Sequence, residues 1–296
     1  MNKEIDLIVE KALEDSNFNC VALGLIDFDD LSFSSKFYSN LDRFDEEREV
    51  YFDLASITKP MTLGLSYLAA PEIFDQEMIL LLEHRSGLPA WGRLSHSSWR
   101  ELLLSYKISE SKTLYSDFGA LRLQLEIEKK IGKSVYEFLK DFHDKEIKNW
   151  LTLNGEQCVP TGFRRGQEIC GHVHDDNAFV INSRVCHAGL FGSVEGLCRN
   201  LIKLEKDFSF ISKIGLKQEH RFNKGFDRVE NPSKSLAGVH SDETTFGHLG
   251  FTGTSFWIYP NKNKGIVILT NETTTCWYDR EKLSKFRKDV ANNLLK

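Results

Sequence analysis

Residues 53–60 read Asp53-Leu54-Ala55-Ser56-Ile57-Thr58-Lys59-Pro60, with a serine three positions before a lysine where an apolar block begins. In a helix, residues i and i+3 share a face, so hydroxyl and amine stand about one turn apart. That is the spacing of a nucleophile and its base. For Lys59 to take the Ser56 proton it has to be held neutral, by burial or nearby positive charge, while a helix N-terminus favours the negative charge that develops. The pattern alone is common, and Ser109-Glu-Ser-Lys112 repeats it in a polar stretch. Ser56 differs by opening an apolar run, with Pro60 where a first helical turn tolerates proline. Read by itself, Ser56 is equally a helix-capping serine.

Outward from this stretch, Ile57, Met61, Leu63, Leu65 and Leu68, then the block 78–82, predict helices separated at Pro71 and Gly87. Further helices are expected over 98–106, over 118–131 with Gly132 as a stop, over 135–142, and over 193–206 with Ser193 as N-cap. Before Ser56, an amphipathic helix over 5–13 precedes two antiparallel strands, 20–26 and 31–38. At the other end, strands 254–259 and 265–270 flank the turn Pro260-Asn-Lys-Asn-Lys264, and a charged helix over 279–295 closes the chain. One sheet assembled from both chain ends, with a long helical insertion, accounts for this order. No linker, repeat or low-complexity segment argues for separate modules.

A chain of 296 residues, 41% hydrophobic, is long enough for a substantial core, which excludes disorder and a disulfide-held miniprotein. Thirty-eight Lys plus Arg against 43 Asp plus Glu leave a net charge of -5, without the basic field a nucleic-acid partner requires. No apolar run reaches the roughly 18 to 20 residues that span a bilayer, so no membrane partner is expected. Acids interrupt the hydrophobics of the first ten residues, no secretory signal is visible, and the expected location is cytoplasmic. The cysteines at 20, 158, 170, 186, 198 and 276 form no C-x-x-C pair, so reduced structural thiols are expected. Cys170, His172, His174, Asp175, Asp176, Cys186 and His187 gather metal-ligand chemistry, but histidines at i and i+2 point to opposite sides of an extended segment. The expectation is therefore no metal and no cofactor, with this segment a loop lining the active site.

Further segments fall in order with the Ser56 stretch: Leu82-Glu-His-Arg-Ser-Gly-Leu-Pro89, Tyr115-Ser-Asp117, Gly171-His-Val-His-Asp-Asp-Asn177, His187-Ala-Gly-Leu-Phe191 and Gly247-His-Leu-Gly-Phe-Thr-Gly253. Together they resemble the serine β-lactamase and penicillin-recognising superfamily, in particular its branch of class C β-lactamases, esterases and D-alanyl-D-alanine carboxypeptidase-like enzymes. The resemblance implies an α+β, β-lactamase/transpeptidase-like fold in a single domain, 1–296. Its antiparallel sheet part would cover about 1–59 and 240–296, and a mainly helical part about 60–239. It implies a metal-independent serine hydrolase that acylates Ser56, with Lys59 as base and Tyr115 shuttling the proton. The oxyanion hole would be the backbone N–H groups of Ser56 and Phe251. The substrate would be a small molecule or peptide: a carboxylic ester, an amide or a D-amino-acid peptide.

The chain also departs from that pattern. Asp117 stands where β-lactamases have Asn, and a carboxylate accepts but cannot donate, so it would hold Lys59 or Tyr115, or else cap the helix before Phe118. In the Lys-Thr-Gly position stand His248, Leu249 and Gly250, which remove part of the anion-recognising apparatus and weigh against efficient penicillin hydrolysis. If the neutral form of His248 is needed, the rate rises between roughly pH 5.5 and 7.5. The competing reading is a protein that kept the fold, lost catalysis and binds a peptidoglycan-like ligand or a partner. Nothing in the sequence sets the oligomeric state.

Overall fold

The apolar runs near the two chain ends form the middle of a seven-stranded antiparallel sheet. Its order is Ser32–Ser39, Cys20–Asp27, Lys264–Thr270, Ser255–Tyr259, Phe246–Leu249, Phe226–Arg228, Phe222–Asn223. The ends of the chain meet in the register Leu23↔Ile268. Side chains alternate between faces, as a period of two requires. Val21, Leu23, Trp257, Tyr259, Ile266 and Ile268 face one core; Ala22, Ile26, Phe256, Ile258, Val267 and Leu269 face the other. Burial on both faces is why these strands read as nearly unbroken hydrophobic runs.

The first core is closed by the helices Lys3–Asp15 and Glu281–Leu294, through Ile5, Val9, Leu283, Phe286 and Val290. Against the second core lies the helix Val194–Phe208, capped by Ser193, whose Oγ accepts from Gly196 N at 3.0 Å. Its closeness to the sheet depends on Gly24, because a Cβ there would stand 2.4 Å from Cys198 Sγ. The computed structural model describes residues 1–296 except 2, 46, 217–218 and 276–277, so Cys276 lies outside the described residues. Among the described residues no helix is long and apolar enough to cross a membrane.

Helices Gln76–Leu82, Trp99–Ser105 and Asp117–Ile131 stand where the pattern places them, the last ending at Gly132 with φ +71°. The helix expected over 135–142 is only Val135–Phe138. Three features differ from the sequence reading. A second, four-stranded sheet of Ile147–Asn149, Leu190–Gly192, Val50–Asp53 and Gln157–Cys158 runs through the middle region. The central sheet also takes Phe222–Asn223 and Phe226–Arg228 from before residue 240. Strands of two to four residues are too short to display a period. Finally, the block after Ser56 is not one helix but a 3-10 turn at Ala55–Ile57, a π-helical turn at Pro60–Gly64 and the helix Leu65–Ala69. Pro60 has no N–H to continue the α-helical ladder, so the turns around it change width.

Candidate active site

Strand Val50–Asp53 pairs with Leu190–Gly192 in the register Asp53↔Phe191 and delivers the chain to the turn that carries Ser56. The Asp53 carboxylate is buried there, with Oδ1 accepting from Ala55 N at 2.8 Å and Oδ2 from His174 N at 2.7 Å. The first of these bonds holds Ala55 at φ +47°, a left-handed conformation costly to a residue with a Cβ. Two threonines fasten this turn to the far strand, Thr252 Oγ1 donating to Asp53 O at 2.7 Å and Thr254 Oγ1 to Leu54 O at 3.1 Å.

One turn beyond Ser56, Lys59 is buried, and its Nζ reaches Ser56 Oγ at 3.0 Å, the His187 carbonyl at 3.0 Å and Asp117 Oδ1 at 2.7 Å. The first two contacts are hydrogen bonds that Lys59 donates, and the third is an ion pair. Burial alone pushes this amine down, but the Asp117 carboxylate and the Tyr115 phenol outweigh it and raise its pKa. The resting Lys59 is therefore protonated, which corrects the expectation of a neutral base: the sequence reading supplied no anion next to it. Asp117 is that anion and not the helix cap, a role taken by Ser116, whose Oγ accepts from Gly119 N at 2.8 Å.

Tyr115 lies with its ring 4.9 Å from Lys59 Nζ. Its hydroxyl is buried and, among the described residues, makes no hydrogen bond of standard geometry. Burial raises its pKa, although Lys59 and Ser56 both act in the other direction, so the phenol keeps its proton at neutral pH. The ring is wedged between His84, with centroids 4.6 Å apart, and Phe222, at 5.7 Å. His84 Nδ1 accepts from Ser116 N at 3.1 Å, and Ser116 Oγ donates to Pro89 O at 2.6 Å. The 82–89 segment thus sets the Tyr115 loop from both sides. His84 is neutral, because burial first and Lys59 second push its pKa well down.

His248 completes the group, its ring 6.0 Å from that of Tyr115. Its Nδ1 lies 2.8 Å from the Leu249 carbonyl, which can only accept, so Nδ1 carries the proton and Nε2 is left as a bare acceptor. That Nε2 is buried without a hydrogen-bond partner among the described residues. Burial, reinforced by Lys59, pushes the imidazole down to about 3, so His248 stays neutral throughout pH 5.5–7.5 and is not the source of a rate change there. Leu249 lies at the edge of the cluster beneath the terminal helices, away from these polar groups. Gly250 donates to Thr254 O at 2.7 Å, and the chain then turns instead of continuing the strand. Phe251 sits in that turn, 46% exposed, with its ring 5.7 Å from His174.

Ser56, Lys59, Tyr115, Asp117 and His248 are therefore gathered in one place. Asp53, His84 and the Asp175–His187 pair belong with them; the sequence reading has Asp53 and His84 inside its motifs and expects the stretch with Asp175 and His187 to line the active site, but assigns none of the four a role. Asp175 Oδ1 accepts from His187 Nε2 at 2.9 Å and from Ala178 N at 2.7 Å, and so anchors the segment whose carbonyl holds Lys59. Burial would raise its pKa, but His187 and the capped N–H hold the carboxyl well below its usual range. The ligand-rich stretch does not converge: His172 faces Trp150 at 5.9 Å, His174 faces Phe251, and Cys170 Sγ donates to Cys158 O at 3.1 Å. Among the described residues no three such side chains form a metal-binding group, and the five described cysteines are free thiols.

Burial pushes the Asp53 carboxyl up to about 7. The ionised form accepts most strongly from Ala55 and His174, so kcat/KM is expected to rise through about pH 7. Asp53→Asn should flatten that limb, whereas His248→Asn should leave its position unchanged. Stability runs the opposite way. A carboxyl raised above its unfolded value of about 3.9 contributes stability that is fully present below that value and is lost as pH rises through about 7. The gap in melting temperature between wild type and Asp53→Asn should therefore narrow from pH 4 to 7. A gap independent of pH would show that Asp53 does not titrate in this range.

No family model matches the chain. It is similar to an N-acetylmuramyl-L-alanine amidase of Bacillus subtilis (strain 168), 27% identical over 259 residues, covering 69% of this chain. The chain spans only 58% of the length of that relative. Among solved structures it is similar to a class C β-lactamase from Rhodobacter sphaeroides, with TM-score 0.69, 15% identity and 100% of both chains covered. A β-lactamase from Mycobacterium bovis gives TM-score 0.64 at 16% identity, covering 97% of this chain and 99% of its own. A further class C β-lactamase gives TM-score 0.70 at 12% identity, covering 98% and 97%. At such identities the likeness is one of fold.

Proposed function

We propose that this chain, which has the β-lactamase fold, is a serine hydrolase that forms an acyl-enzyme on Ser56 from a carboxylic ester, an amide or a D-amino-acid peptide. The observation that carries the reading is the 3.0 Å contact of Lys59 Nζ with Ser56 Oγ beside the buried Tyr115 hydroxyl. Because Lys59 donates to Oγ, the serine proton is directed elsewhere, and Tyr115 is the neighbour able to receive it. As Oγ attacks the carbonyl carbon, Tyr115 takes the Ser56 proton and passes its own to the leaving oxygen or nitrogen. The Lys59 ammonium lowers the energy of the developing negative charge. Water then attacks the acyl-enzyme by the reverse relay. The backbone N–H groups of Ser56 and Phe251 would receive the carbonyl oxygen, and paired donors of this kind are worth about 3 to 4 kcal/mol each to acyl transfer.

Penicillins should be poor substrates, because His248 is neutral where class C β-lactamases carry a cation and Leu249 has no hydroxyl. The curated relative is named for an amidase activity, which makes an amide a natural choice beside esters in a substrate panel. A non-catalytic binder draws support from the resting Lys59, held by two hydrogen bonds and the Asp117 ion pair. Pre-steady-state kinetics with 4-nitrophenyl acetate separate the two. A nitrophenol burst equal to the enzyme concentration, slowed about 100-fold or more by Tyr115→Phe, is the expected result. A burst unaffected by Tyr115→Phe would remove Tyr115 from the mechanism, and no turnover of esters or amides would leave the binder.

A further inference from the structure

The geometry points to a recognition cleft that takes a carboxylate-bearing, partly apolar portion of the Ser56 substrate through Arg93 and Arg165. This rests on Ser56 being the nucleophile and names the class of substrate it attacks. The cleft holds about 730 Å³, the size of a ligand pocket. Its two walls are continuous with the catalytic group. Trp91 and Arg93 follow Ala90, whose carbonyl accepts from Asp117 N at 2.8 Å. The opposite wall is the helix Asp176–Ile181, which begins next to Asp175; its Asn177 accepts from Leu94 N at 3.0 Å and donates to Gly92 O at 2.8 Å.

The charges lining the cleft do not cancel. Glu168 is held by both nitrogens of Arg43, at 2.9 and 3.0 Å. Asp176 is paired with Arg164 at 3.1 Å, and Arg164 is fixed further by the Val173 and His174 carbonyls and by the Phe179 ring, 4.1 Å away. That leaves Arg93 and Arg165, exposed and in no ion pair among the described residues, as two guanidiniums facing one space in a chain of net charge -5. A guanidinium presents two parallel N–H donors that match a carboxylate in shape and charge, and a second one nearby adds to the field that attracts it. The same cleft is lined by Trp91, 51% exposed, Phe179, 39%, and Val180, 45%, which offer apolar surface to the rest of the ligand.

The test uses Ser56→Ala, so that binding is read without turnover, and two peptides of equal shape: N-acetyl-Ala-Glu with a C-terminal amide, and N-acetyl-Ala-Gln with the same amide. Calorimetry should show the acidic peptide binding at least 10-fold tighter, with the advantage shrinking in 0.5 M salt. In an Arg93→Ala/Arg165→Ala background, with an unchanged melting temperature, the advantage should vanish. With Arg93→Glu/Arg165→Glu it should invert. Equal binding of the two peptides, binding of neither, or an advantage that survives both double variants would overturn the assignment. Failure of the hydrolase reading is seen separately: wild type that gains no mass from a fluorophosphonate, yet shows the acidic preference, keeps the cleft and loses the nucleophile.

Discussion

Lys59→Met should cut acylation of Ser56 by about 100- to 1,000-fold, the range in which a fixed donor aimed at developing negative charge contributes. It should also destabilise the fold, because it strands the Asp117 carboxylate, whose side chain is 18% exposed, 2.7 Å from where its counter-ion was. Breaking one half of a buried ion pair costs about 3 to 5 kcal/mol, and the partial exposure of Asp117 places this case at the lower end. The two effects separate in a double variant. Adding Asp117→Asn removes the orphaned charge, so stability should return while activity stays lost. Denaturant midpoints and ester turnover on the four proteins of that cycle measure both. If activity returned with stability, Lys59 would be a structural cation only.

Gly250→Ala should be nearly as damaging, although it touches no reacting group. A Cβ at Gly250 would lie 2.6 Å from the Leu54 carbonyl and 2.0 Å from Thr254 Oγ1, inside the seam that joins the far strand to the turn that carries Ser56. The Leu54 oxygen belongs to the backbone and cannot swing aside, so the strand end must move. Overpacking of this kind costs about 1 to 3 kcal/mol. A displacement near 1 Å at the donor opposite Ser56 costs about 100-fold in rate. The expected signature is a kcat loss that exceeds any change in KM. An alanine variant with wild-type kcat would show that the close approach at Gly250 does not position the site.

The sequence made the frame legible where the physical signal was long. The runs 20–26 and 265–270 are buried on two faces and announce central strands, and Ser193 and Gly132 mark helix ends by their own capping chemistry. Strands of two to four residues, such as Leu190–Gly192, carry no such signal, and their pairing depends on partners far away in the chain. The site followed the same rule. Ser56, Lys59, Tyr115, Asp117 and His248 were named from motifs, and the structure gathers them. Their protonation states were not legible, because they are set by neighbours that only folding brings close: Asp117 against Lys59, and a dry wall around His248. Asp53 lies three residues before Ser56 in the motif itself. Its role became visible only once its two oxygens were seen to hold Ala55 and His174, residues from separate segments.

The central claim is that Ser56 is an activated nucleophile, and intact-mass spectrometry after treatment with a fluorophosphonate tests it most directly. Wild type should gain the mass of one phosphonyl group within minutes, Ser56→Ala none and Lys59→Met little, while a penicillin should add mass slowly or not at all. A folded wild type that gains no mass, or a Ser56→Ala variant that gains as much, would contradict the account.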